Sequence, residues 1–314
     1  MKNRGIALSF NWIFAILVGG FILFLAIYGA GKFIRTSEQA ICTETAASLV
    51  GLTDPLETGF ASGKSHEIGF KKKSKLFFDC DENFRVLGRQ RISFAEQTFG
   101  DKYGEKGNWI TIKDKYLFVE REIEANKIYL FSKPFFMPYK VSDLIVIIPE
   151  SQNYCFHDAS ENVRESLEGL NLKNIIFKNR TNECEGVDIC FSRKAGCEIE
   201  ISEAQGTVFK KKEGKKVHYV GNLLYGAIFS SPEIYECNVK RTKRRIDELA
   251  KIYLEKIEIV ERQNCQSNIR IKLERVIGNI ESSRELINLY SFMSDVNSIN
   301  RLSDCKLYDD RGFE

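Results

Sequence analysis

Gly5–Gly31 reads GIALSFNWIFAILVGGFILFLAIYGAG: 27 consecutive residues without a charge, with Lys2 and Arg4 before it and Lys32 and Arg35 after it. As a helix rising 1.5 Å per residue this stretch is about 40 Å long, more than the roughly 30 Å of a bilayer's hydrocarbon core. A core helix of a globular domain is rarely so long and so free of charge. A secretory signal carries a shorter apolar region, about 7 to 15 residues, ending at a small-residue site. The stretch therefore predicts a retained transmembrane span in a lipid bilayer, with Trp12 and Tyr28 anchoring near its two ends. The chain as a whole has 46 Lys plus Arg against 43 Asp plus Glu, 28% charged residues and five prolines. That balance excludes the strongly basic class that holds nucleic acid through its phosphates, and it provides for a folded domain outside the span.

Positive residues on the two flanks nearly tie, so charge alone leaves the orientation open. The cysteines break the tie. All nine (Cys42, Cys80, Cys155, Cys184, Cys190, Cys197, Cys237, Cys265 and Cys305) follow the span, at a density typical of an oxidising compartment. The main domain is expected to be extracytoplasmic, on a single-pass cell-membrane anchor. The sequon Asn179-Arg180-Thr181 is a glycosylation candidate that agrees with this side. A zinc site needs close cysteine pairs, but Cys184, Cys190 and Cys197 are five and six residues apart, so neither metal nor cofactor is expected.

Arg4-Gly5 followed by a long apolar helix resembles the class III signal of type IV pilins and archaeal pilin-like surface proteins. The stretch FNWIFAILVGG, running on through LAIYGA to DPLETG, resembles uncharacterised archaeal single-pass membrane proteins. The first resemblance implies cleavage after Gly5, a mature chain starting at Ile6, and a helix serving as anchor or filament core. The fifth residue after Gly5 is Phe10, where the bacterial pattern carries glutamate.

Ala40, Ile41, Ala46, Ala47, Leu49 and Val50 recur at helical spacing up to Gly51, so the helix is predicted to run from about residue 6 to 52, half in lipid and half packed on the outer domain. An odd number of cysteines leaves one without an intramolecular partner, and Cys42 is the candidate free or intermolecular thiol; pairing with a domain cysteine is the alternative. The fold class that follows is α+β: a transmembrane helix, then a mixed α/β domain with a C-terminal helical hairpin. The chain divides into an anchor over 1–35, a juxtamembrane helix over 36–54, a β-rich region over 55–140, an α/β and cysteine-rich region over 141–225 and a helical region over 226–314.

Within the β-rich region, Ile92 and Phe94, then Ile110 and Ile112, alternate with polar neighbours. Tyr116–Ile123 and Lys127–Phe131 suggest a hairpin turning at Ala125-Asn126. Asp143–Ile148 (DLIVII) reads as a strand buried on both faces. A helix capped by Asp158 and Glu161 and a strand at Asn174–Phe177 complete a candidate βαβ unit. Its connecting loop, PESQNYCFHDAS, has no glycine to admit a phosphate, and GFASGKS at Gly59–Ser65 is one residue short of a P-loop, so neither predicts a nucleotide site.

Further on, Val208-Phe209 and Val217–Tyr219 flank a turn rich in lysine (Lys210, Lys211, Lys212, Lys215 and Lys216). This is either a cationic finger for anionic headgroups or a solvated hairpin tip, and the second reading is preferred; the same holds for Lys71–Lys75 and Lys240–Arg245. A helix is predicted to start at Pro232, a second to carry Ile269–Ile280, and a third to restart at the capping box Ser282/Glu285. Cys237 and Cys265 are 28 residues apart, about 42 Å along a helix, too far to pair; Cys305 is therefore the predicted partner of Cys237. No catalytic motif surrounds His66, His157 or His218, and Cys155 beside His157 reads as a bridged cysteine rather than a nucleophile. The expected function is that of a structural or interaction protein at the cell surface, partnered with other membrane or surface proteins. A tethered ligand-binding module, with its site near Glu150, Ser151 and Asn153, is the alternative, and an enzyme is not expected.

Overall fold

The computed structural model opens on one uninterrupted helix, α1 (Phe10–Leu52). The structure describes residues 10–53, 65–98, 100, 102–178, 184–192, 196–264, 267–303 and 305–309. The two halves of α1 differ in what they touch. From Trp12 to Ile34 the large apolar side chains are exposed, 67% for Trp12 and 77% for Phe33. Cys42, Ala46 and Leu49, spaced four and three residues apart and hence on one face, are buried. The continuous helix with a docked second half is what the sequence predicts.

That face packs on a six-stranded sheet of order β3-β2-β1-β5-β6-β4. Its strands are β1 (Ser65–Asp81), β2 (Arg89–Glu96), β3 (Ile110–Ile112), β4 (Tyr116–Phe118), β5 (Glu122–Phe136) and β6 (Lys140–Pro149). The run DLIVII lies in β6, where Ile145 and Ile147 face the core under α1 while Leu144, Val146 and Ile148 face the core on the other side. A strand covered on both sides has no polar face to show, which is why the run is continuous.

The second sheet has order β12-β11-β10-β9-β7-β8. It comprises β7 (Tyr154–His157), β8 (Ile175–Lys178), β9 (Val187–Cys190), β10 (Ile199–Ser202), β11 (Thr207–Lys210) and β12 (Lys215–His218), with α2 (Glu161–Glu168) between β7 and β8. β8, β7, β9 and β10 run parallel, and β11 and β12 close the sheet as an antiparallel hairpin. Helices α3 (Leu223–Phe229), α4 (Pro232–Glu261), α5 (Arg270–Val276) and α6 (Leu286–Leu302) follow. Pro232 occupies the first turn of α4, and the Ser282/Glu285 capping box precedes α6.

Several sequence expectations are corrected. β5 runs straight through Ala125-Asn126, because Ala125 is a buried ladder residue opposite Ser74. β4 turns away from β5 and pairs in parallel with β6. The βαβ unit exists, but its first strand is β7, paired in parallel with β8; β6 belongs to the first sheet. Helix α3, LLYGAIF, is buried at every position and so shows no amphipathic period to read.

The predicted Cys237–Cys305 bridge is wrong. Cys237 joins Cys80, at a Cα separation of 6.1 Å, tying the end of β1 to the second turn of α4. The returning chain does not reach Cys237: the Leu307 carbonyl accepts a hydrogen bond from Lys256, and Tyr308 lies 5.5 Å from the Tyr253 ring. Lys256 is 19 residues beyond Cys237, about 28 Å along α4. Cys305 is itself disulfide-bonded, but not to Cys237. The other bridges among the described residues are Cys155–Cys184 and Cys190–Cys197.

Candidate functional site

Where β6 hands over to β7, a cleft of about 510 Å³ opens between the two sheets. Its walls come from distant parts of the chain: the β4–β5 crossing (Glu120 to Glu124), the β6–β7 link, the β9–β10 region, the β11–β12 hairpin and the start of α4. Ile123, Val187, Ile199 and Ile228 supply apolar floor.

The polar groups of the floor are placed by local chemistry. Lys210, on β11, is only 4% exposed, and its ammonium donates to the Ser230 carbonyl and to Glu120 at 3.2 Å. Tyr154 opens β7; burial, reinforced by the charge of Glu120, pushes its phenol well above the ordinary value, so it stays protonated as a donor. Ser231 precedes Pro232, and its amide donates to the Val119 carbonyl at 3.3 Å. Its hydroxyl is buried and has no hydrogen-bond partner among the described residues. At the rim, Glu233 accepts from Lys215 at 2.6 Å, and that bond holds its carboxyl below the usual range. Glu122 and Glu124 are engaged by Lys75 and Lys73. With a buried hydroxyl, a phenol and an ammonium–carboxylate pair over an apolar floor, the cleft can orient a small polar molecule. Among the described residues no three His, Cys, Asp or Glu side chains are grouped to hold a metal ion.

A second polar group lies at the carboxyl ends of the parallel strands. His157 Nε2 is 2.7 Å from Asp188 Oδ1, Ser192 donates to Asp158 at 3.0 Å, and Ser160 donates to Glu203 at 2.7 Å. Asp158 holds φ at 54°, an uncommon conformation for a residue with a side chain. Cys155 is bridged to Cys184, as the sequence reading preferred, so no thiolate accompanies His157.

Of the residues singled out in the sequence, Ser151 lines the cleft, while Glu150 stands 3.5 Å from Lys127 and Asn153 donates to the Glu185 carbonyl. Arg4, Gly5, Ile6 and Asn179, together with Cys265 and nearly all of the Gly59–Ser65 string, lie outside the described residues. Cys42 is buried under β2 and β3, where a side chain at Gly107 would come within 2.9 Å of its Cβ; an intermolecular bridge there needs α1 to lift away. The basic segments differ: on the hairpin Lys210 is buried while Lys211, Lys212, Lys215 and Lys216 are exposed, as a solvated tip would be, and the α4 segment is tied into the fold. Lys211 pairs with Glu200 and Lys215 with Glu233, while in α4 Lys240 pairs with Glu82 and Lys243 is buried against Asp247. Sequence reasoning does not find Tyr154, Ser231 or Glu120 and places Lys210 on a solvated hairpin tip, whereas the structure buries it at the end of β11; the one legible signal is Ser231, the serine before a helix-starting proline.

Compared with family models, with curated proteins and with solved structures, the chain matches none.

Proposed function

We propose that the protein is a membrane-anchored extracytoplasmic structural or interaction protein, a pilin-like subunit or an accessory of surface assembly. The observation that carries this reading is the division of α1: an exposed apolar half continuous with a half that is docked in the domain core. A helix without a break transmits its orientation, so the domain is presented to other surface proteins at a set distance and angle from the bilayer. Disulfides in the domain agree with an oxidising compartment.

The test is membrane fractionation combined with protease protection in cells expressing the full chain. The chain is expected in the membrane fraction after alkaline extraction, with the domain digested by protease added outside. Recovery in the soluble fraction, or a domain protected in intact cells, would overturn the reading. N-terminal mass analysis separates the finer version: a chain starting at Ile6 supports pilin-type processing, and an intact Met1 removes it.

The cleft favours a second reading, a membrane-tethered ligand-binding module, because it lies beside Ser151 and holds a buried hydroxyl without a partner among the described residues. Native mass spectrometry of the purified chain, compared with Ser231→Trp to fill the cleft, tests it. A small molecule carried by the wild type and lost in the variant supports ligand binding, and an empty wild-type cleft argues for assembly.

A further inference from the structure

We propose that a bulge of β1, Phe70 to Lys73, docks on the anionic phospholipid headgroups of the bilayer that α1 crosses. The inference rests on the membrane-anchor reading. In the β1–β5 ladder Gly69 pairs with Lys127 and Ser74 with Ala125, so four residues of β1 stand opposite the single residue Asn126. An ordinary bulge sets two residues against one, and bulges commonly mark places where a strand re-aims its side chains. Here Phe70 turns inward onto Phe94, ring centroids 5.3 Å apart, and Lys71, Lys72 and Lys73 are left exposed in succession. A run of three lysines needs no bulge to reach water, because a plain strand edge would serve.

The surroundings say which way the bulge faces. The Lys73 carbonyl accepts from the Gln97 amide at 2.8 Å, the Glu96 carbonyl accepts from Gly104 at 2.9 Å, and the next residue, Glu105, accepts from Gln39 of α1 at 3.0 Å. This chain of contacts ends at the first residue of α1 to touch the domain among the hydrogen bonds of that helix. Gln39 lies eight residues past Gly31 and four past Arg35, about 12 Å and about 6 Å along the helix. The headgroup layer on each side of the hydrocarbon is about 5 to 8 Å deep. Counted from Gly31, Gln39 thus stands just outside the headgroup layer, so the bulge faces the outer edge of the headgroups, on the same side of the bilayer as Lys32 and the exposed Lys102. Lys73 is engaged by Glu124, and Lys72 approaches Glu96 only at 3.9 Å with its own side chain 62% exposed. Such exposed pairs are weak and open readily to a phosphate.

The test uses the full chain in nanodiscs of phosphatidylcholine alone or mixed with phosphatidylglycerol, with lysine acylation read by mass spectrometry. Lys240 and Lys251 are internal controls: Lys240 pairs with Glu82, next to Asp81 at the opposite end of β1, and Lys251 lies about three turns further along α4. Acylation of Lys71–Lys73 is expected to slow about fivefold in the anionic discs, the equivalent of about 1 kcal/mol per basic residue at an anionic surface, with the controls unchanged. Equal rates in both lipids, equal slowing at the controls, or protection by inorganic phosphate added to phosphatidylcholine discs would each overturn the inference. A chain that fails to enter the discs refutes the anchor reading instead.

Discussion

Gly107→Ala should loosen the docked half of α1 without touching its sequence. A methyl group at this position would lie 2.9 Å from the Cys42 Cβ, 2.9 Å from the Thr43 amide nitrogen and 3.0 Å from the Cys42 carbonyl carbon. Two of these three atoms are helix backbone, so no side-chain rotation relieves the clash, and the helix must move away from β2 and β3. Overpacking of this kind costs about 1 to 3 kcal/mol. What resists it is the burial of Leu49, about 2 kcal/mol, with bonds from the Asn108 amide to Thr43 and from Lys115 to the Val50 carbonyl and Thr53. Each such bond adds about 1 kcal/mol. The substitution thus removes much of the docking free energy, and a loss of about 2 kcal/mol corresponds to about thirtyfold more of the undocked state. Hydrogen–deuterium exchange of amides 39–52 in nanodiscs should rise by that factor, while β5 and β6 keep their protection. Gly69→Ala, where an added methyl meets nothing within 4 Å, is the control. Unchanged exchange over 39–52 would refute the idea that close approach at Gly107 fixes the docked half of α1.

Three further outcomes follow from particular contacts. Replacing both Cys80 and Cys237 by Ser opens a loop of sequence separation 157, and the chain-entropy model assigns this about 5 kcal/mol against about 2 for Cys190–Cys197 at separation 7; denaturant midpoints of the two double variants should fall in that order. Ser283→Ala removes one of the two bonds by which Ser283 holds Glu236, the hydroxyl donating at 2.5 Å while the Ser283 amide still donates at 2.8 Å, and strips the acceptor from the His218 amide, which donates to the hydroxyl at 2.8 Å, so urea unfolding should show a loss of about 1 to 3 kcal/mol. Lys133 is 8% exposed and donates to the carbonyl and hydroxyl of Ser166; burial lowers its ammonium from 10.5 to about 8. The folded state then binds fewer protons than the unfolded state between these values, so its contribution to stability should rise with pH by up to about 1.4 kcal/mol per unit from pH 8 to 10. Lys133→Met should lack that rise, and parallel pH profiles for the two proteins would show the lysine to be unperturbed.

The parts of the fold that were legible are those whose cause is local. The division of α1 is written in the change from uncharged residues to Cys42, Ala46 and Leu49 at helical spacing, and the burial of β6 on both faces in its unbroken apolar run. Strand β7 was hidden because its four residues, Tyr154–His157, follow a polar link and are too few to show a period. Pairings such as β4 with β6, and Cys80 with Cys237, join segments far apart in the chain, and local pattern carries no term for them. The cleft is illegible for the same reason, since Glu120, Tyr154, Lys210 and Ser231 come from four separate segments and acquire their polarity and burial only from one another.

The basic run Lys240–Arg245 shows how a local reading goes wrong even where the local data suffice. A run of like charge suggests a solvated face, but α4 was already predicted, and helical geometry sends successive residues to different faces. Ile234, Cys237, Asn238 and Arg241 recur three and four residues apart and share the stripe that meets the first sheet, so Arg241 is carried inward by its phase. It is fully buried, among the described residues no carboxylate is hydrogen-bonded to it, and its Nη2 is buried without a partner there. Instead it donates to the Leu87 and Lys115 carbonyls, Gln90 and Asn238, and its guanidinium lies 4.9 Å from the Tyr116 ring. Neutral acceptors at Nε and Nη1 offset part of the desolvation of the cation without adding a second charge to desolvate. The guanidinium thereby links α4 to β2 and to the segment before β4, close to where Cys80–Cys237 makes the same link covalently. What a composition count scores as one surface charge is a fixed joint between the C-terminal helices and the sheet on which α1 is docked.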